Sequence, residues 1–421
     1  MTSAMNDQSM AREDEASTAL VLLAHHHSSG NIASQRFVGL VNYLPRDTHS
    51  VFVVSGPPAD QIETQINPEV LVIESPLLSK ASLAARLEVL RRMAYPNRHL
   101  TMYENSWIAQ AVNAARARVR SEKAIGRRPV VMATYSPIDA LIAARLVAVA
   151  ENVPLIQDFR DGLAFENLGR PGVIFNLLRK ALEAYVVRPA TIVTTVSRPL
   201  VRHFQETYAD KEVSLLYNGF DVGAFSAADV PAKNSERDLG DYSFSIGHFG
   251  RVSASEAARL DTLRMFLSTL EKGKFSGELD FFGTLTDVEI SILEASGLNC
   301  RLHGHVDRKI ALEKMRRMSA LILLTGKSKS VATGKLYEYL FAGKRIVIAT
   351  QKRNEATRII EEIGDDDIVL DFSAPNSILP VEVLVERLSR PFSRNFGAIK
   401  KFKKSEQARK FSETLQRVAG K

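Results

Sequence analysis

The apolar and polar positions along the chain fall into two successive series of short apolar runs separated by segments of helical period. In the first series the runs Ala19–Ala24, Val51–Val54, Val70–Ile73, Val130–Ala133, Pro154–Ile156, Thr191–Val196 and Val213–Leu216 read as strands. They are rich in β-branched residues and nearly continuous in hydrophobicity. A strand covered on both faces shows no alternation, so these runs predict a parallel sheet flanked by helices on either side. The polar, aperiodic stretch 226–242, with Pro231, Lys233, Asn234, Glu236 and Arg237, reads as a linker. A second series follows: Phe244–Phe249, Leu279–Phe282, Cys300–His303, Leu321–Leu324, Arg345–Ala349 and Ile368–Leu370. Helical period recurs at Ser255–Leu270, Lys309–Met318 and Lys335–Phe341.

This pattern predicts an α/β protein of two doubly wound, Rossmann-like domains, 18–225 and 243–390, facing a central cleft. A polar leader, 1–17, precedes them and a basic tail, 391–421, follows. The length of 421 residues suits two or three domains. The single cysteine, Cys300, excludes an internal disulfide and points to a reducing, cytoplasmic setting. No apolar run approaches the ~20 residues of a bilayer span, and the leader lacks the cationic start and apolar stretch of a signal peptide.

Charge changes this picture at one place. The formal net charge is +7, and residues 390–421 hold ten Lys/Arg against only Glu406 and Glu413, leaving the remainder close to neutral. A localised excess argues for one basic surface meeting an anionic partner and against nucleic-acid binding over the whole protein. In the tail Phe392, Phe396, Phe402 and Phe411 interleave with Lys400, Lys401, Lys403 and Lys404. That mix suits a helix packed back on the first domain, or a patch seated on anionic lipid at the inner face of a membrane.

In open parallel sheets ligands gather beyond the carboxyl ends of the strands, so candidate chemistry is sought there. The first strand runs into His25-His26-His27-Ser28-Ser29-Gly30-Asn31, where Gly30 permits a tight turn before a helix. Three consecutive histidines diverge too much for metal ligation to be favoured. The strand at Pro154–Ile156 ends in Asp158-Phe159-Arg160-Asp161, which is either an Arg–Asp brace or a site; its place at a strand end favours the site. Gly250-Arg251 follows the first strand of the second series and precedes a helix containing Arg259, a combination that suits a diphosphate. Ser328–Gly343 supplies Lys329, Gly334 and Lys335 on small-residue backbone, with Glu338 one turn into a helix. Glu338 there is either a ribose acceptor or only a partner of the helix dipole.

Together these residues resemble glycosyltransferase family 4, retaining enzymes of the GT-B fold. The resemblance spans about 18–390 and is carried by Asp158–Asp161, Asn218-Gly219-Phe220-Asp221, Gly250-Arg251, His303-Gly304-His305-Val306 and Lys335-Leu-Tyr-Glu338-Tyr. It implies transfer of a sugar from a nucleotide sugar to a glycan or lipid-linked acceptor, with no metal or other cofactor. Under it, Arg251, Arg160 and Asp161 would be catalytic. Gly250, Arg259, His305, Val306, Gly334, Lys335 and Glu338 would bind the donor, with the backbone at His305 and Val306 on the base, and Gly30 and Asn31 would face sugar and acceptor. The same resemblance leaves room for a sugar-nucleotide epimerase or a non-catalytic scaffold of this architecture. Two positions depart from the family pattern: Ser330 stands where a Glu is usual, and Glu256, or Arg259 with a slip, where a Lys is usual.

Overall fold

The computed structural model describes residues 18–29, 32–58, 69–94, 106–166, 172–221, 244–253, 256–374 and 379–420. The expected leader and linker, along with Gly30 and Asn31, lie outside them. The described chain forms two compact units. One comprises Met1–Phe165, Pro171–Tyr217 and Lys404–Lys421; the other comprises Glu166–Arg170 and Asn218–Lys403.

The first unit is built on a seven-stranded parallel sheet of order β3-β2-β1-β4-β5-β6-β7. Its strands are β1 (Thr18–Leu23), β2 (His49–Ser55), β3 (Glu69–Val72), β4 (Arg128–Tyr135), β5 (Leu155–Phe159), β6 (Ile192–Thr195) and β7 (Glu212–Leu215). Central β1 has six buried residues, Thr-Ala-Leu-Val-Leu-Leu, in register with β2 (Thr18 opposite His49) and β4 (Thr18 opposite Arg128). Its alternate residues enter separate cores, as the period of two requires. Val21 and Leu23 pack with the helices Trp107–Ala124 and Ile138–Glu151, whereas Leu20 and Leu22 pack with Phe37 and Leu40 of helix Ile32–Asn42 and with Phe411 and Leu415. The last two belong to helix Lys404–Ala419, which covers this face from the far end of the chain.

The second unit carries a six-stranded parallel sheet of order β10-β9-β8-β11-β12-β13. Its strands are β8 (Ser245–Phe249), β9 (Glu278–Phe282), β10 (Cys300–Leu302), β11 (Ala320–Leu324), β12 (Arg345–Thr350) and β13 (Ile368–Asp371). Ile246, Ile322, Val347 and Ala349 meet Leu263, Phe266 and Leu270 of helix Ala258–Lys272 in one core. In both sheets the order reverses once, between β1 and β4 and between β8 and β11, and such reversals open the loops where ligands bind.

The tail divides. Residues 391–403 group with the second unit, where buried Arg394 pairs with Asp365 and Asp367, and only the helix from Lys404 packs on the first. Phe402 and Phe411 are core residues, Lys401 pairs with Glu362, and buried Lys404 donates to the Gln35 carbonyl at 2.7 Å. Of the residues whose pattern suits either packing on the first domain or anionic lipid, Phe402, Phe411 and Lys404 are thus spent on packing, whereas Phe396 and Lys400 are exposed. Lys404 reaches a carbonyl 369 positions away, whereas Lys401 meets Glu362 only 39 positions away, and neither partner is part of the tail's own pattern.

Candidate functional site

The loops after β8, β9 and β10 converge through backbone. Gly250 adopts φ +83° and its amide donates to the Phe282 carbonyl at 2.6 Å. Gly283, at φ +130°, is pressed so near that a Cβ there would stand 2.8 Å from the Gly250 Cα, and its amide donates to the Gly304 carbonyl at 2.7 Å. Only glycine tolerates such backbone and such proximity. Beneath these turns Phe249 stacks on Phe282 at 4.5 Å and Phe282 on His303 at 4.2 Å, with His303 Nε2 2.6 Å from Asp280 Oδ1. His305 and Val306 follow directly, His305 exposed.

Helix Gly334–Ala342 begins at the same loops, and its N-cap residue Thr333 makes no side-chain capping bond. Half-buried Lys335 in its first turn donates from Nζ to the Arg251 carbonyl at 2.6 Å, and its stem passes Gly250 so closely that a Cβ there would lie 3.0 Å from Cε. Burial pushes the Lys335 ammonium down to about 7. The charge of Arg259 adds to this, Glu338 and Glu289 oppose it, and Arg251 lowers it further. The Arg251 side chain itself is exposed. A helix start, two arginines and a lysine that pairs with no carboxylate among the described residues form an arrangement that favours a bound anion of more than one charge. Glu338, one turn along the helix, is held by Arg308, whose Nε and Nη2 both stand 3.0 Å from its Oε1.

Gly250, Arg251, Arg259, Gly334, Lys335 and Glu338 are therefore neighbours within the second unit. The loop after β11 differs from expectation. Its amides were read as free for an anion, but buried Glu256 accepts from the amides of Lys327 (2.5 Å) and Ser328 (3.2 Å). Glu166 accepts from the Lys329 amide at 2.6 Å, from Ser330 Oγ at 3.2 Å and from Ser328 Oγ. These internal carboxylates fix the loop, so the anion-facing groups are the start of the helix and its cations. Glu256 is thereby a loop organiser where the family pattern has a cation, and Arg259 Nε lies 3.9 Å from it. A carboxylate at Glu166 rests against Ser330, the position at which the family's first Glu is missing. Neither role carried a signal in the sequence. Glu289 did: Thr286 and Glu289 form a reciprocal capping box, and Glu289 also holds Ser253.

In the first unit, the four-residue motif separates into two roles. Asp158 lies inside β5, fully buried, and pairs with Arg36 at 2.8 Å while accepting from Thr134 Oγ1 (2.8 Å) and Thr194 Oγ1 (2.7 Å). The buried carboxylate of Asp158 is braced by Arg36, and the charges of Asp161 and Asp158 both act on Arg160. Arg160 donates to the carbonyls of Tyr135 (2.8 Å) and Ser136 (3.1 Å) at the carboxyl ends of β4 and β5, and Asp161 is exposed beside it. Burial lowers the pKa of Arg160, and burial, followed by the charge of Arg160, lowers that of His26. His25 meets Trp107 edge-on at 5.3 Å, and burial brings both His25 and His27 to about 4, so they are neutral at physiological pH. Among the described residues no three His, Cys, Asp or Glu side chains gather in a metal-binding group.

No protein-family model matches this chain, and no curated protein matches it in sequence. Solved structures match nearly all of it. Anabaena HepE, crystallised with UDP and glucose, shares 16% identity at a TM-score of 0.58, covering 95% of this chain and 99% of its own. The apo lipopolysaccharide outer core galactosyltransferase WaaB shares 13% at 0.60, covering 94% and 99%. The N-terminal domain of Candida albicans trehalose-6-phosphate phosphatase shares 10% at 0.63, covering 96% and 97%. At these identities the likeness establishes the fold: this chain has the GT-B architecture.

Proposed function

We propose that this chain is a glycosyltransferase of the family 4 type, moving a sugar with retention from a nucleotide sugar to a cell-surface polysaccharide or glycolipid acceptor. The observation that carries the reading is the arrangement of Gly250, Arg251 and Lys335 around the start of helix Gly334–Ala342, with Glu338 one turn further along. It offers close backbone and positive charge to a diphosphate, and a carboxylate to the hydroxyls of the attached ribose. Solved structures of the same fold support it, since HepE holds UDP and glucose and WaaB is a galactosyltransferase. Retention and family membership rest on the motif resemblance.

In this reading no side-chain nucleophile is needed. Departure of the diphosphate limits the reaction, and fixed positive charge aimed at the developing negative oxygens lowers that barrier. Arg251 supplies the exposed cation and Lys335 the inner one. Glu338, kept in place by Arg308, orients the ribose, and the backbone after His303 borders the base. Arg160 and Asp161, with the Gly30–Asn31 loop, serve the sugar and acceptor. Incubating the purified protein with a panel of nucleotide sugars tests the proposal: slow release of nucleoside diphosphate and free sugar is expected from one or a few donors. Interconversion of the sugars would identify an epimerase, and inertness toward every donor a non-catalytic protein.

A further inference from the structure

In the proposed reaction Lys335 acts as a cation, yet its surroundings favour the neutral amine. The half-buried side chain donates from Nζ to the Arg251 carbonyl at 2.6 Å and pairs with no carboxylate among the described residues. The titratable groups facing it come from every element around it. Arg251 stands in the turn after β8 and His248 in β8 itself, Arg259 on helix Ala258–Lys272, Glu289 on helix Asp287–Glu294 and Glu338 on its own helix. Burial is the largest influence and the charge of Arg259 the next, both against the ammonium, and Glu338 and Glu289 offset them only in part. Held at about 7, the amine is neutral in roughly half of the molecules at neutral pH, against about one in two thousand for a lysine in water. A desolvated lysine beside other cations is the setting in which an amine acts as a nucleophile.

The space beside this amine suits an anion. A Cβ at Gly334, the residue before it, would meet no atom within 4 Å, and Thr333 makes no side-chain capping bond to the helix start. The first turn is therefore open to a group such as phosphate, with the Arg251 side chain exposed nearby. We infer that Lys335 is a covalent modification site for phosphorylated aldehydes, with the phosphate held by the helix start and Arg251 while the carbonyl carbon meets Nζ. The amine lone pair forms the new C–N bond, and the carbonyl oxygen leaves as water with the two amine hydrogens. The product is an imine; no oxidant or reductant takes part, and hydrolysis reverses the step. An imine on Nζ occupies the place of the donor diphosphate, so such a compound blocks donor binding reversibly. The inference rests on the anion site described above and holds whether or not a sugar is transferred.

The test is treatment of the full-length wild type with pyridoxal 5′-phosphate or with pyridoxal at about pH 7, reduction of the imine by borohydride to a stable secondary amine, and peptide mapping by mass. Pyridoxal 5′-phosphate should mark Lys335 about tenfold faster, or more, than the exposed Lys180 and Lys272, and pyridoxal, which lacks the phosphate, should show a smaller preference. Inorganic pyrophosphate should protect Lys335 and leave the other two lysines marked. Nucleoside diphosphate should protect it as well; protection by pyrophosphate alone would support this inference and count against the transferase reading. The inference is overturned if Lys335 stays unmarked, if it is marked no faster than Lys180 and Lys272, or if pyrophosphate does not protect it. The mapping uses the wild type, so none of these outcomes turns on the folding of a variant.

Discussion

The Lys335 ammonium donates to the Arg251 carbonyl at 2.6 Å, tying the start of one helix to the turn that precedes another. This bond holds a positive group where burial disfavours it, and burial with the charge of Arg259 brings Lys335 to about 7. A bound diphosphate supplies the missing negative charge and raises that value. Between about 7 and the raised value, binding must therefore take up a proton, and affinity must fall as pH rises through this window. Calorimetric titration with nucleoside diphosphate at about pH 8, in two buffers of different ionisation heat, should show uptake approaching one proton for the wild type and none for Lys335→Met. Equal heats after buffer correction in both proteins would place Lys335 outside the anion site.

Arg251 is exposed where Lys335 is half-buried, so it is the more adaptable of the two cations. If it stabilises the leaving diphosphate, Arg251→Ala should lose about 2.7–4 kcal/mol of transition-state stabilisation, on the order of a hundred- to thousandfold in turnover. Its melting temperature should stay close to wild type because the side chain packs against little. Full turnover in the variant would remove Arg251 from the reaction.

Glu338 has a bland role available as the partner of Arg308. A ribose-binding carboxylate makes a sharper forecast: Glu338→Gln should weaken nucleoside diphosphate binding by about 1.5–3 kcal/mol, while a 2′,3′-dideoxy analogue, which lacks both hydroxyls, should bind wild type and variant alike. Titration of both ligands against both proteins separates the two roles. A loss equal for the two ligands would mean that Glu338 acts only through the fold.

All thirteen expected strands are present, most within two residues of their expected ends; the central ones, such as β1 and β12, are buried on both faces and write their whole length in mostly apolar residues. The clearest shortfall is β5, expected over Pro154–Ile156 and extending to Phe159. Gln157 and Asp158 are polar yet fully buried, Gln157 Nε2 donating to the Leu141 and Val186 carbonyls and Asp158 accepting from Arg36. Those partners lie up to 122 positions away, beyond the reach of any local pattern. The second unit's cations and Glu338 were legible because strand, glycine turn and helix start are consecutive there. The carboxylates of Glu166 and Glu256, which occupy the β11 loop from 163 and 71 positions away, were not. Phe402 and Phe411, whose pattern suited either packing or a lipid surface, are core.

The Asp158–Arg36 pair gives the last prediction, on stability. Both side chains are almost wholly enclosed, 2% and 0% exposed, so neither charge is relieved by water if the other is removed. Arg36→Met should leave a buried carboxylate with only the Thr134 and Thr194 hydroxyls as donors among its side-chain bonds to described residues other than Arg36. Breaking a buried pair in this way costs about 3–5 kcal/mol, whereas replacing both partners by apolar residues of similar volume costs far less. Urea unfolding should therefore show a large loss for Arg36→Met and partial recovery when Asp158→Leu is added, because the second change removes the uncompensated charge. If Arg36→Met unfolds as the wild type does, Asp158 is not held by Arg36, and the motif at the end of β5 regains the site role in full.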